Sequence, residues 1–214
     1  MKITVSIMAH PKRKHAAEAL YKKLIQYPFS GVFIIWDEIN NEWHTGRRAL
    51  HGGEVLDSDW HMVLQDDALL TPDFYDNIVG AIEHLPTKGL FSLYVGRVKP
   101  ISRRVVEAVE KATHATWLSH YMLLWGVGIV LPSDHVAPML DFLDDPKYRD
   151  TPYDTRVGMF YLANRLPIYY TMPSLVDHDD SIDSLLADHQ TLEPRIAHRL
   201  ANGPVRWNSE IINI

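Results

Sequence analysis

Two adjacent carboxylates, Asp66 and Asp67, end an apolar run that begins at His61. Neighbouring carboxylates repel unless a cation or a proton lies between them, so the pair points to ion chemistry more than to a turn. A second acidic group, Asp177-His178-Asp179-Asp180, follows the apolar run Leu166–Thr171. His10 and Asp37 close two further apolar runs nearer the start of the chain. Carboxylates joined by an imidazole suit Mg²⁺ or Mn²⁺, and the imidazole favours Mn²⁺. An ion held with open positions grips a diphosphate and acts on it as a Lewis acid. The chain has no Gly-x-x-x-x-Gly-Lys-Ser/Thr loop, no Gly-x-Gly-x-x-Gly after the first run and no Gly-x-Ser-x-Gly elbow. These absences disfavour a P-loop nucleotide site, an ordinary dinucleotide site and an α/β-hydrolase. Arg47 and Arg48 are therefore the basic candidates for holding a phosphate.

These residues share a site only if the runs that end in them are strands of one sheet. Residues 2–8 predict a strand, 14–26 an amphipathic helix and Gly31–Trp36 a second strand. Strand, helix and strand in that order predict a right-handed unit with parallel strands. Further along, the pattern predicts helix 47–56 and strand His61–Leu64. A helix capped by Thr71, with Pro72 in its first turn, follows and runs to His84. Strand 89–95, helix 102–112, strand Trp125–Leu131 and a helix opened by Ser133 come next. An acidic, Pro-containing loop over 144–153 leads to helix Asp154–Asn164 and a last strand, Leu166–Thr171. Everything after Pro173 reads as irregular. The expectation is an α/β fold with a mixed, mainly parallel sheet flanked by helices. Ligands of such sheets bind beyond the carboxyl ends of the strands, where His10, Asp37, Asp66 and Asp67 collect.

Composition narrows the class further. The 214 residues are 46% hydrophobic and 22% charged, which is ordinary for a globular domain. There is no cysteine, so thiol nucleophiles and Cys-ligated zinc are excluded. A formal net charge of −6 leans against nonspecific nucleic-acid binding. The longest apolar run, Tyr121–Pro132, contains two glycines and is too short for a membrane span. The expected protein is soluble and cytoplasmic, with no membrane insertion.

With these residues in view, the segment HMVLQDDALLTPDF resembles the acidic motif of GT-A-fold nucleotide-sugar glycosyltransferases, especially small bacterial and phage enzymes of the lipopolysaccharide type. SIMAHPKRK is similar to their opening strand and loop, and LLWGVGIVLPSDHVAPML to their glycine-bearing strand and following helix. PIYYTMPSLVDHDD is similar to the segment that closes many of these domains. The resemblance spans about residues 2–185, which implies one domain over 1–185 and a tail, 186–214, packing on it.

The resemblance implies transfer of a sugar from a nucleotide-sugar donor, UDP-sugar favoured, to a glycan, protein or modified nucleobase. It implies Asp67 and His178 as ligands of Mn²⁺ or Mg²⁺. Asp66 would meet the donor ribose or a metal-bound water, Asp37 the nucleobase, and His10 with Pro11 the nucleoside. Asp154 falls where the acceptor-side acidic residue lies; in an inverting enzyme it takes the acceptor proton, a contribution of about 10²–10⁴ in rate. Trp125 is the aromatic candidate for sugar or acceptor contact, with Ser119, His120 and Tyr121 beside it. Gln65 stands where the family carries an acid, which lowers the local negative charge. Two other readings use the same residues. One is a metal-dependent phosphoesterase or nuclease with paired metals; the other is a sugar- or nucleotide-binding module without turnover.

Overall fold

The computed structural model describes residues 1–55, 57–97, 102–111, 114–182 and 194–214. Strand β1 (Ile3–Ala9) is buried along its whole length, as a continuous apolar run in the middle of a sheet must be. Helix α1 (Lys14–Leu24) buries Ala17, Leu20 and Leu24 on one face. Strand β2 (Gly31–Trp36) is half-buried because it forms a sheet edge. Helix α2 (Glu42–Val55), strand β3 (Trp60–Gln65), the short strand β4 (Ala68–Leu70) and helix α3 (Phe74–Glu83) follow. Then come β5 (Phe91–Ser92), α4 (Ser102–Lys111), β6 (Trp117–His120) and β7 (Gly128–Pro132). The chain continues through α5 (Val136–Leu143), α6 (Tyr153–Ala163), β8 (Ile168–Thr171), β9 (Val176–His178) and β10 (Ile211–Asn213).

Eight strands make one sheet in the order β10-β6-β8-β5-β7-β3-β1-β2. Strand β1 runs parallel to both β2 and β3, with Met8 level with Ile35 on one side and Gln65 on the other. The carboxyl ends of these three strands therefore open on one rim. Strand β7 is antiparallel to β3 and β5, β6 is antiparallel to β8, and β5–β8 and β10–β6 are parallel. This is the mixed, mainly parallel α/β sheet expected from the sequence. Strands β4 and β9 form a separate antiparallel ribbon in which Ala68 lies opposite His178.

The structure departs from the expected elements in several places. Helix α2 starts before residue 47, at Glu42, where Asn41 Oδ1 accepts the His44 amide at 2.8 Å. Its expected end at 56, and that of α4 at 112, lie outside the described residues. Thr71 does not cap α3; its hydroxyl donates to the Leu175 carbonyl at 2.8 Å. The residue before α3 is Asp73, at φ 53°, and its side chain makes no capping bond. Ser133 is likewise no cap, since its hydroxyl meets that of Ser58 at 2.8 Å.

The segment after Pro173 is not irregular throughout. It supplies β9 and the sheet-edge strand β10, neither of which has an apolar run long enough to show in the sequence. Trp207 lies over Trp117 with ring centroids 5.1 Å apart. A Cβ on Gly80 would stand 2.6 Å from the Trp207 ring, so the bare glycine leaves room for that indole. Asn77 adds hydrogen bonds to the Gly203 carbonyl and the Val205 amide. The expected boundary at 185 lies outside the described residues. Among the described residues, no helix is long and apolar enough to cross a membrane.

Candidate functional site

The site begins where β3 ends. The Gln65 amide still donates to the neighbouring Val127 carbonyl at 2.9 Å, and the chain then leaves the sheet with Asp66 and Asp67. The loop after β1 wraps over this end. Asp66 Oδ2 accepts the His10 amide at 2.8 Å. His10 Nδ1 accepts the Lys12 amide at 3.2 Å and so opens the tight turn Pro11–Arg13. That turn aims Arg13 back at the acidic pair, with Nη1 at 3.1 Å from Asp66 Oδ1 and 2.5 Å from Asp67 Oδ2.

His178 arrives from the opposite end of the chain. The β4–β9 ribbon sets it beside Ala68, and its Nε2 lies 3.2 Å from Asp67 Oδ2. The Asp179 amide donates to the Asp67 carbonyl at 2.8 Å, which fixes the two segments together by backbone as well. Asp177 supports the ribbon, since its Oδ1 accepts the Ala197 amide at 2.6 Å.

The cluster is out of water: Asp66, Asp67 and His178 are 5%, 3% and 7% exposed. Burial pushes the Asp66 carboxyl above its ordinary range, and the charge on Asp67 adds to that rise. Burial acts on Asp67 in the same sense. There it is outweighed by the hydrogen bond and charge of His178 and by Arg13, so Asp67 is held below its ordinary range. Asp67 is thus the more acidic member of the pair.

Above the cluster is a cleft of about 250 Å³. Five sequence-predicted residues line it: His10, Asp37, Asp66, Asp67 and His178. Gln65, Glu42 and Arg195 also face it. Asp37 has a structural task too, its Oδ1 accepting the Ile39 and Asn41 amides at 3.2 Å each.

Fit to a divalent cation is tested by the donor atoms. Asp67 and His178 offer an oxygen and an imidazole 3.2 Å apart, the spacing of two neighbouring ligands on one ion. Asp67 Oδ1 and His178 Nδ1 are buried without a hydrogen-bond partner among the described residues. No group of three or more His, Asp and Glu gathers as a ready-made cage among those residues. An ion here would take its remaining ligands from a diphosphate and water, the usual manner of Mg²⁺ sites.

Other sequence-predicted residues lie elsewhere. Pro11 starts the turn that carries Arg13 and is not part of the cleft lining. Arg47, expected at a phosphate, is instead bound to Asp144 through Nε at 2.8 Å and Nη2 at 2.6 Å. Arg48 pairs with Glu38 at 2.8 Å and donates to the Trp36 carbonyl. Arg47 is thus committed to the end of α5 and Arg48 to the carboxyl end of β2, and neither is among the residues lining the cleft.

Asp154 sits half-buried in the first turn of α6, its Oδ1 accepting the Thr155 amide at 2.6 Å. A Cβ on Gly126 would lie 3.4 Å from its own Cβ. This puts Asp154 by the loop that enters β7 next to Gln65, on the same rim but not in the cleft lining. Trp125 is only 6% exposed and meets Tyr94 and Tyr170 edge-on, so it is core and not an open platform. Ser119 is bound to Asn213, and His120 accepts the Met122 amide, while Tyr121 is exposed.

Sequence reasoning missed Arg13. The available signal was its place in a basic stretch, Pro11-Lys12-Arg13-Lys14, directly after the first strand. Nothing in that stretch states which of the three cations folds back.

No protein-family model matches the chain, and no curated protein matches it. Solved structures that it resembles include a glycosyltransferase involved in the glycosylation of the major capsid of PBCV-1. That chain is 8% identical with a TM-score of 0.44, over 79% of this chain and 82% of that one. A second is A197 from STIV, 13% identical with a TM-score of 0.46, over 83% of this chain and 85% of that one.

Proposed function

We propose that the protein transfers a sugar from a nucleotide-sugar donor, UDP-sugar favoured, to an acceptor hydroxyl. The observation that carries this reading is the buried Asp66–Asp67 pair at the carboxyl end of β3, with His178 on Asp67 and a cleft directly above. Arg13 offsets part of the acidic floor of the cleft, and a diphosphate entering with a cation would bring further positive charge to it. Asp67 and His178 would hold Mn²⁺ or Mg²⁺, whose charge stabilises a departing diphosphate. His10 and Asp37, on the two neighbouring strand ends, are the side chains available to a nucleoside, and Asp66 to its ribose.

Asp154 is proposed as the acceptor-side base of an inverting displacement. The acceptor oxygen bonds to the anomeric carbon as the bond from that carbon to the phosphate oxygen breaks. The electron pair leaves with the nucleoside diphosphate, and the acceptor proton passes to the Asp154 carboxylate. Glycan, protein and modified nucleobase are all acceptors of the required chemistry.

Calorimetric titration with UDP, with and without Mn²⁺, tests the donor site. Binding is expected in Mn²⁺ and its loss in Asp67→Asn, by at least about tenfold in Kd. UDP binding by Asp67→Asn as tight as that of the wild type, in Mn²⁺, would refute the assignment.

A further inference from the structure

Arg13 occupies the position a cation needs. Its Nη1 touches one oxygen of each acidic side chain, at 3.1 Å and 2.5 Å, and its side chain is 11% exposed. Asp67 Oδ2 is consequently shared between Arg13 and His178. The remaining oxygen, Asp67 Oδ1, is buried without a hydrogen-bond partner among the described residues. The acidic pair thus carries a bound guanidinium and, at the same time, an unused donor atom.

An ion shared with His178 Nε2 meets Asp67 at Oδ2, and that oxygen cannot ligate Mg²⁺ at about 2.0–2.1 Å while it holds the guanidinium nitrogen without placing two cations side by side. The delocalised guanidinium keeps its charge, so loss of a proton does not relieve this. The side chain relieves it only by moving. Arg13 is built to do so, since it stands at the end of a short turn outside the sheet and reaches the pair through its side chain alone.

We propose that Arg13 is an exchangeable counter-ion: it neutralises Asp66 and Asp67 while the cleft is empty, and a divalent cation takes Asp67 only as the guanidinium lets go. This rests on the reading of Asp67 and His178 as the ion-holding pair. It deepens that reading by making metal entry depend on what else is bound. A nucleoside diphosphate brings the anionic oxygens to which a released guanidinium can turn, so metal and nucleotide enter together. Arg195, the other arginine lining the cleft, pairs with Asp180 at 3.3 Å and so is not the counter-ion of the acidic pair.

The test is Mn²⁺ binding to nucleotide-free protein, read by electron paramagnetic resonance of free Mn²⁺. Arg13→Gln removes the competing charge and keeps much of the side-chain volume. It is expected to bind Mn²⁺ about tenfold or more tightly than wild type, while Arg13→Lys stays near wild type. Adding Asp67→Asn to Arg13→Gln should abolish the gain. Mn²⁺ affinity that is unchanged or weaker in a folded Arg13→Gln protein overturns the exchange, as does a gain that survives Asp67→Asn.

A second measurement uses the wild-type chain and needs no variant. The side-chain ¹⁵Nε–H signal of Arg13 should shift when Mg²⁺ and UDP are added together, and an unmoved signal overturns the proposal. Failure of the donor reading is distinguishable: UDP would then bind neither protein in saturating Mn²⁺, while the difference in Mn²⁺ affinity would remain.

Discussion

Replacing His61 tests how the strand that carries the acidic pair is held. His61 lies in β3 with no exposed surface. Its Nε2 is 2.8 Å from the Ala49 carbonyl, and its Nδ1 is 2.8 Å from the Thr4 hydroxyl. A carbonyl only accepts, so Nε2 carries the ring proton and Nδ1 accepts from Thr4. The Thr4 hydroxyl also lies 3.0 Å from the Ser58 hydroxyl, and Ser133 stands behind Ser58 at 2.8 Å. Protonating Nδ1 would place a charge where no surface of the ring reaches solvent.

Burial accordingly lowers the His61 pKa from 6.5 to about 4, although the Ala49 bond opposes the shift. In the unfolded chain the imidazole titrates at its ordinary value. Between those two pH values the unfolded state binds more protons, so stability falls as pH falls. The gap of about 2.5 units, at about 1.36 kcal/mol per unit, gives roughly 3 kcal/mol, fully present above pH 6.5 and lost towards pH 4. That is a large part of the roughly 5–15 kcal/mol that holds an ordinary domain together.

His135 and His198 are also lowered by burial, and they contribute in the same sense. Comparing His61→Gln with wild type isolates the one residue. The variant should lose about 1–3 kcal/mol at pH 7.5, because glutamine replaces a packed ring. Its urea-unfolding free energy should then fall less steeply, by about 1 kcal/mol per pH unit, from pH 6 to 4.5. Parallel pH profiles for the two proteins, or a His61 imidazole that titrates near 6.5 in the folded state by NMR, would refute the reasoning.

Asp154→Asn should lower sugar turnover by about 10² or more while UDP and Mn²⁺ binding remain, since a base acts only on the acceptor proton. Near-normal transfer by this variant would remove Asp154 from the reaction. Asn77→Ala should cost about 2–3 kcal/mol in urea unfolding, because the buried amide bridges α3 to the Gly203 carbonyl and the Val205 amide. It should also free the tail, seen as faster amide exchange over residues 203–208; unchanged exchange there would show that Trp207 alone secures the segment.

Much of the sheet could be read directly. Strands β1, β2 and β3 are apolar runs because the sheet demands them, and each ends in the polar residue that the rim requires. The adjacency of Asp66 and Asp67 is a property of the chain itself, and so is the absence of any glycine-rich phosphate loop. Residues 117–120 and 211–213 were not legible as strands. A short edge or inner strand carries too few residues to show a period, and its pairing partner decides its conformation.

The same holds within the site. That Asp66 and Asp67 need a counter-charge follows from their sequence positions alone, but which charge they receive does not. Arg47 and Arg48 were the basic candidates in the sequence, and the fold commits them to Asp144 and Glu38 while Arg13 takes the acidic pair. Trp125 became core because Tyr94 and Tyr170 close on it from two other strands' ends. His178 met Asp67 only through the register of a three-residue ribbon joining segments more than a hundred residues apart. Apolar patterning is written locally, because burial acts on every residue of an element. The partner of a long charged side chain is set by which backbones the fold brings within its reach, and only the tertiary structure decides that.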